Sequence, residues 1–299
     1  MNANQFTALV RRELWEHRWF IRCWLILPSL LVFSGLLGLA MVALFSRTFG
    51  IQVEDSVTHP SGAILFLVLG TIFGLMLLFC IAGYFSHTLH DERMDRSYVF
   101  WKSIPVSDTA TVGSKVLTGL IVMPILIWLS LIVTALILLF FLSLATSLLG
   151  HNFWGSFWAP GPLISIMLYL AVLLLTLPLW FFPLLAWILL CSAWGNPRRR
   201  KSPLLRALVI PGALLILEPV LLGTHVLATW FASLFAPIGG LILTYTNNSS
   251  YWGHATTIQS RWLDWAHLFI QPEFWWGGLI GLLFTALAVY FRHRTESHR

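Results

Sequence analysis

Apolar residues in this chain come in long unbroken runs, not in the three-to-four spacing or strict alternation of a soluble core. The runs occupy roughly 24–45, 62–86, 116–147, 161–194, 204–222 and 274–291. Most reach or exceed the ~20 residues a helix needs to cross ~30 Å of hydrocarbon. The pattern predicts an all-α integral membrane protein with about six transmembrane helices, forming a single membrane domain over 1–299. The 161–194 run is longer than one crossing needs, and Pro178 and Pro183 within it remove backbone donors, which predicts a kink. A further apolar stretch, 226–243, contains Pro237, Gly239 and Gly240, which weaken it as a simple helix.

Composition agrees with the runs. Hydrophobic residues make up 58% of the chain and charged residues 10%, against about 25% charged in soluble domains. The 16 Trp and 6 Tyr fit aromatic belts at the two faces of a lipid bilayer. A formal charge of +6 on a soluble protein would suggest nucleic acid. No basic domain lies outside the apolar runs, so nucleic acid is excluded as a partner. The three cysteines, Cys23, Cys80 and Cys191, are far apart and form no CxxC pair, so they read as small apolar residues, with no support for a disulfide framework or a zinc site.

The basic residues place the ends. Sixteen of the 18 Lys and Arg fall before the first run, between the second and third, between the fourth and fifth, or after the last. With six crossings these four clusters share one side, which the positive-inside rule makes cytoplasmic, with both termini. A seventh crossing would put Arg292, Arg294 and Arg299 outside. The 226–243 stretch is therefore expected as a re-entrant or interfacial hairpin on the outer side, within an outer hairpin and loop over 223–272. Any non-helical backbone it carries at membrane depth must be shielded by protein. The first run exceeds the apolar region of a signal peptide and follows a segment with Glu13, Glu16 and several Trp. It reads as a retained span.

Residues 4–22 form an amphipathic helix on a 100° wheel. Phe6, Leu9, Val10, Leu14, Phe20 and Ile21 fall on one arc, and Arg11, Arg12, Arg18, Arg22, Trp15 and Trp19 on the other. Such a helix lies in the interface with its Arg heads toward lipid phosphates or water. Glu13 and His17 interrupt the apolar arc, positions from which they pair with each other or with another element.

The segment after the second run, 87–115, is the richest in chemistry. From Asp91 to Asp108 it mixes four acids with Arg93, Arg96 and Lys102, yet carries Tyr98, Val99, Phe100, Trp101 and Ile104. Aromatics beside Arg are the composition of a protein–protein hot spot. A short interfacial helix with its aromatics in lipid has the same composition. Ser107 or Asp108 can cap a following helix, which would run through Lys115 into the third span.

The string ERxDRSxxFWKSxPVSDxxTVxSK runs here from Glu92 through Arg93, Asp95, Arg96, Ser97, Phe100, Trp101, Lys102, Ser103, Pro105, Val106, Ser107, Asp108, Thr111, Val112 and Ser114 to Lys115. It resembles the cytoplasmic loop of the type-2 ATP-binding-cassette (ABC) exporter permeases. The opening RRELWEHR, Arg11 to Arg18, is similar to the start of the same family, and the six-span outline extends the likeness. No motif in 150–275 matches. The resemblance implies that 87–115 is a coupling segment docking on a separate ABC ATPase subunit. Asp91, Glu92, Arg93, Asp95, Arg96, Ser97, Phe100, Trp101, Lys102, Ser103, Pro105, Ser107, Asp108 and Lys115 would form that interface. It implies an elbow helix bearing Arg11, Arg12, Glu13, Trp15 and Arg18. A second permease subunit would complete a homodimer or heterodimer in the cytoplasmic (inner) membrane. ATP and Mg would be bound by the partner, so no cofactor is expected in this chain. Consistent with this, no GxxxxGK[ST] occurs, so there is no P-loop to cradle nucleotide phosphates.

Other residues were weighed. Glu218, inside an apolar run and followed by Pro219, is a candidate intramembrane polar site; equally, it caps a helix break before His225. His87, His90 and Asp91 have metal-like spacing but no evident fourth ligand. Arg198 to Lys201 reads as a topology anchor beside anionic lipid. A noncatalytic scaffold or assembly factor remains an alternative function. A membrane enzyme is less favoured, since no HExxH or GxSxG occurs and Glu218 has no acidic neighbour.

Overall fold

The computed structural model describes residues 3–16, 26, 28–38, 62–94, 107–148, 154–194, 203–233 and 269–297. Among them there is no strand. Helix α1 spans Ala3–Glu16, α2 Pro28–Gly38 and α3 Gly62–Met94. Helix α4, Asp108–Leu117, passes through a π turn at Thr118–Val122 into α5, Met123–Leu148. Then come α6, Trp154–Phe157, α7, Pro160–Trp180, and α8, Phe182–Trp194. Helix α9 is Pro203–Leu222, α10 covers 226–233, and α11 is Pro272–Ser297. Five stretches are long and apolar enough to cross a membrane: Leu65–Glu92, Asp108–Ser147, Trp154–Trp180, Pro203–Leu221 and Pro272–Arg294. The chain is thus an all-helical, multi-pass membrane protein.

Helix α3 is the hub. Its 33 residues reach about 50 Å at 1.5 Å per residue, well beyond the hydrocarbon thickness. Its last two turns, from His87 on, carry polar side chains and stand clear of the apolar length. Phe66, Phe73, Leu77, Ile81, Phe85 and Leu89 are buried along one stripe of it. Helix α5 runs antiparallel, its first turn against Phe85 and Ile81 at Gly119. Helices α7 and α8 run parallel to α3. Gly70 faces Leu170, Gly74 faces Leu174 and Leu177, and near the far end the His90 N–H donates to Ser192 Oγ at 3.1 Å.

The kink expected in 161–194 is a turn at Phe181. Pro178 and Pro183 cannot donate to the preceding turn, and Phe181 takes φ −85°, ψ 9° between the two helices. The chain stays bonded across the turn, with Phe181 N–H donating to the Leu177 carbonyl and Leu185 N–H to that of Phe181.

Helix α11 lies parallel to α7 and α8, and rings mark the contact. Trp180 pairs with Phe274 at 5.9 Å between centroids, Trp187 with Phe284 at 5.3 Å, and Trp194 with Phe291 at 6.1 Å. The seven-residue spacing of the three tryptophans keeps them on one face over four helical turns. Indole N–H groups add cross-helix bonds, Trp187 to the Ala207 carbonyl at 3.2 Å and Trp128 to the Met167 carbonyl at 3.0 Å. Large apolar side chains on the outside, such as Leu208, Ile216 and Val220 of α9 and Leu279, Leu282 and Leu283 of α11, are exposed. A lipid solvent accepts such a surface without penalty.

Trp187 therefore joins three helices. Trp187→Ala is expected to lower stability by about 3 kcal/mol, loosening α9 and α11 together. Thermal unfolding of the detergent-solubilised chain measures this, and an unchanged midpoint would contradict the packing role.

Candidate functional site: a buried ion network at one end of the bundle

Lys115 lies in the last turn of α4 with its side chain wholly buried. A buried ammonium must have all three protons bonded and its charge balanced. Its Nζ lies 2.9 and 3.0 Å from the two carboxylate oxygens of Glu13 on α1, 3.2 Å from Thr88 Oγ1, and 2.9 Å from Glu92 Oε1 on α3. The hydroxyl of Tyr84 donates to Glu13 Oε2 at 2.9 Å.

Glu92 gathers the other cations. Arg12 Nη2 is 3.3 Å from its Oε1 and Arg292 Nη1 is 3.0 Å from its Oε2. Arg12 also forks onto Glu16, at 2.7 and 3.2 Å. Arg292 Nε reaches Asp108 Oδ1 at 3.3 Å, and His293 Nδ1 approaches Asp108 Oδ2 at 3.4 Å. Three cations (Arg12, Lys115, Arg292) thus meet three carboxylates (Glu13, Glu92, Asp108), with Glu16 on the rim. For Arg12, burial acts to lower the guanidinium pKa. The neighbouring Glu16, Glu13 and Glu92 outweigh it and raise the value above that of a free arginine, so the charge is secure.

Four elements supply these groups, and each is built to do so. Helix α4 starts at Ser107, whose Oγ accepts from the Ala110 N–H at 3.3 Å. Asp108 in the first turn is favoured there by the helix dipole, and the same helix brings Lys115 two turns inward. Helix α1 turns Glu13 inward, half-buries Leu9 and Val10, and exposes Arg11, Trp15 and Glu16. The Arg11 guanidinium sits 5.8 Å over the Trp15 ring. The sequence placed Arg12 on the outward arc; instead it reaches inward, because a long guanidinium stem can follow the surface to Glu92. Glu13 resolves the opposite way, pairing with α4 and α3.

The placement corrects part of the interface expected from the sequence. Glu92 and Lys115 face into the network, not outward, and Asp108 is turned toward Arg292. Ser107 is a cap. Asp91 is exposed and pairs with His87 at 3.5 Å. Arg93 belongs to the last turn of α3. Asp95, Arg96, Ser97, Phe100, Trp101, Lys102, Ser103 and Pro105 lie outside the described residues, as do Arg18 and His17. Tyr84, Thr88 and Arg292 were not singled out from the sequence as members of a site; a lone Tyr or Thr inside an apolar run carries no signal by itself. The carboxylates of Glu13, Glu16 and Glu92 come within 4.8 Å of one another, a spacing that could bridge a metal ion. Lys115 and Arg12 already stand among them as counter-charges.

Glu218 is a separate feature. Its carboxylate accepts from Thr224 Oγ1 at 3.0 Å and from the Val226 and Leu227 N–H groups at 2.7 and 2.9 Å. It caps α10 from the preceding helix, across a reversal in which Gly223 takes φ 64°. This is the helix-break role, in which free N–H groups at a helix start bind an anion. The chain matches no family model, no curated protein and no solved structure.

Lys115→Met leaves Glu13 and Glu92 buried with one fewer cation, and is expected to cost about 3–5 kcal/mol. Adding Glu13→Gln should recover part of that loss. Unfolding midpoints of the two single variants and the double variant measure it; strict additivity would mean that the pair does not interact.

Proposed function

We propose that this chain is the membrane-spanning permease subunit of an ABC-type exporter. It would move a substrate across the cytoplasmic membrane by drawing on ATP hydrolysed in a separate subunit. The observation that supports this most is where the ion network sits. Glu92 and Asp108 flank the 95–106 segment, whose sequence resembles the family's docking loop. Through them, that segment is tied to α1, the elbow-like helix, and to α11, the last span. A force applied to the loop by a partner would reach both without passing through flexible chain.

Topology supports the reading by parity. Glu13, Glu92, Lys115 and Arg292 meet at one point, so the chain between any two of them crosses an even number of times. After Lys115, helix α5, the α7–α8 pair, α9 and α11 supply four crossings, which leaves α10 as part of an outer hairpin. Between Glu13 and Glu92, α3 needs a companion, and α2 is the start of it. Six spans result, with α1 as an elbow and both termini on the cytoplasmic side, where the basic clusters favour them. In this arrangement the ATPase docks on 95–106 and on rim residues such as Asp91. Glu92 and Lys115 transmit from behind, and a second permease subunit completes the pair.

Affinity purification from native membrane in mild detergent, with mass spectrometry, tests the assignment. A stoichiometric P-loop ATPase is expected, lost in the Arg96→Glu and Trp101→Ala variants. Reversal at Asp95 or Arg96 should abolish transport-linked ATP hydrolysis by at least tenfold while the chain still accumulates. An intact chain that brings no ATPase from several detergents, or normal turnover in these variants, would sink the reading in favour of a scaffold.

A further inference from the structure

The π turn at Thr118–Val122 separates the charged foot, α4, from the span, α5. It is a bonded feature: the Met123 N–H donates five residues back to the Thr118 carbonyl, and the Thr118 N–H is shared between the Ser114 and Lys115 carbonyls. Single π turns inside α-helices recur at functional positions because they hold one residue more than the α-helix allows.

The buried stripe explains why the extra residue is there. Buried positions run Thr111, Lys115, Thr118, then Met123, Ile127, Leu131, Ala135 and Leu139. The intervals are four and three, then five, then four throughout. In a continuous α-helix, residues five apart point about 140° away from each other. The foot and the span are therefore out of step by one residue, and the π turn restores a common inward face. Only with that residue absorbed does Lys115 aim at Glu13 and Glu92. At Gly119, in the turn, a Cβ would come 2.6 Å from Phe85 Cζ. The missing side chain is what lets the widened turn lie against α3.

We infer that Thr118–Val122 is a register hinge: when the π turn reverts to α, α4 rotates about its axis and carries Lys115 out of the Glu13–Glu92 pocket. One residue corresponds to about 100° of rotation and about 1.5 Å of travel, more than a 2.9 Å ion pair survives. The surplus residue passes to the loop before Ser107. Release of Lys115 removes the main tie between α4 and α1, and it shifts Asp108 relative to Arg292. The network is thus the closed position of a two-state element, with the register of one helix as its coordinate. This goes beyond the transporter reading and does not need a partner to be observed.

The chain has three lysines, Lys102, Lys115 and Lys201, which makes amine acylation a direct readout. The full chain in native membranes is treated with an N-hydroxysuccinimide acetate, and each lysine is followed by mass spectrometry. Lys115 should react slowly but measurably. Deleting Val122 leaves a continuous α-helix with Lys115 in the pocket and no second register, so its rate should fall at least tenfold. Gly119→Ala disfavours the closed turn, so the rate should rise at least tenfold, with hydrogen exchange along α5 unchanged. Lys102 and Lys201 serve as internal references and should stay within twofold. A Lys115 rate in the deletion variant equal to or above that of the native chain overturns the hinge. If that variant does not accumulate, Gly119→Ala decides: an unchanged or lower rate, or a rise matched by faster exchange along α5, overturns it equally.

Discussion

The architecture at the polar end of this protein depends on one requirement, that the charge of Lys115 be balanced away from water. Taking an ammonium and its partner carboxylates out of water costs several kcal/mol per ion. The cost is offset only where geometry is good and the remaining lone pairs are used. Here the three amine protons find Glu13, Glu92 and Thr88, and Tyr84 takes up a remaining position on Glu13. Because those partners come from two other helices, satisfying one lysine fixes α1, α3 and α4 against each other. Glu92, with capacity to spare, brings in Arg12 and Arg292 and so fixes α11.

Along the apolar length the forces differ. Lipid tails are as apolar as Leu, so burial from water does not drive one helix against another. Ring pairs spaced seven residues apart on α7 and α8, and indole N–H bonds to carbonyls of neighbouring helices, give direction where dispersion alone gives none. These contacts set how α8, α9 and α11 sit side by side. The ions, by contrast, set which ends meet. A bundle held by rings alone could slide by a turn with modest loss. One that must also bring Arg292 to both Glu92 and Asp108 cannot.

The spans were legible because apolar runs report membrane length directly, and Pro183 and Ser107 announced the turn at Phe181 and the start of α4. The end of α3 was read too early, at 86, because its last two turns are polar while hydropathy tracks only the lipid-facing length. Glu13 stood out as an acid on an apolar arc, and burial explains it; Arg12, one position earlier, looked outward because a wheel fixes Cβ directions but not where a long side chain ends. Arg292 read as a topology charge, since nothing local pairs with it: its partners lie about 200 residues away. The π turn was illegible for a similar reason. A step of five between buried positions is visible only once burial is known, as every residue from Ile121 to Ile127 except Pro124 is a large apolar one. Glu218 admitted both a site and a cap, and the N–H groups of α10 select the cap.

Arg12, Lys115 and Arg292 serve twice if the basic clusters face the cytoplasm. During insertion no tertiary pairing exists, so each acts as an unpaired positive charge that resists crossing and orients the adjacent span. After the helices meet, the same charges are neutralised by Glu13, Glu92 and Asp108. These acids do little to oppose orientation, since Asp and Glu weigh little in the positive-inside rule. The asymmetry permits a balanced network to be built from residues that were unbalanced in effect while the chain was being threaded. It also explains why the network lies at the ends of α3 and α11 and at the start of α4. Those are the positions where a topogenic charge is useful and where three helix termini converge.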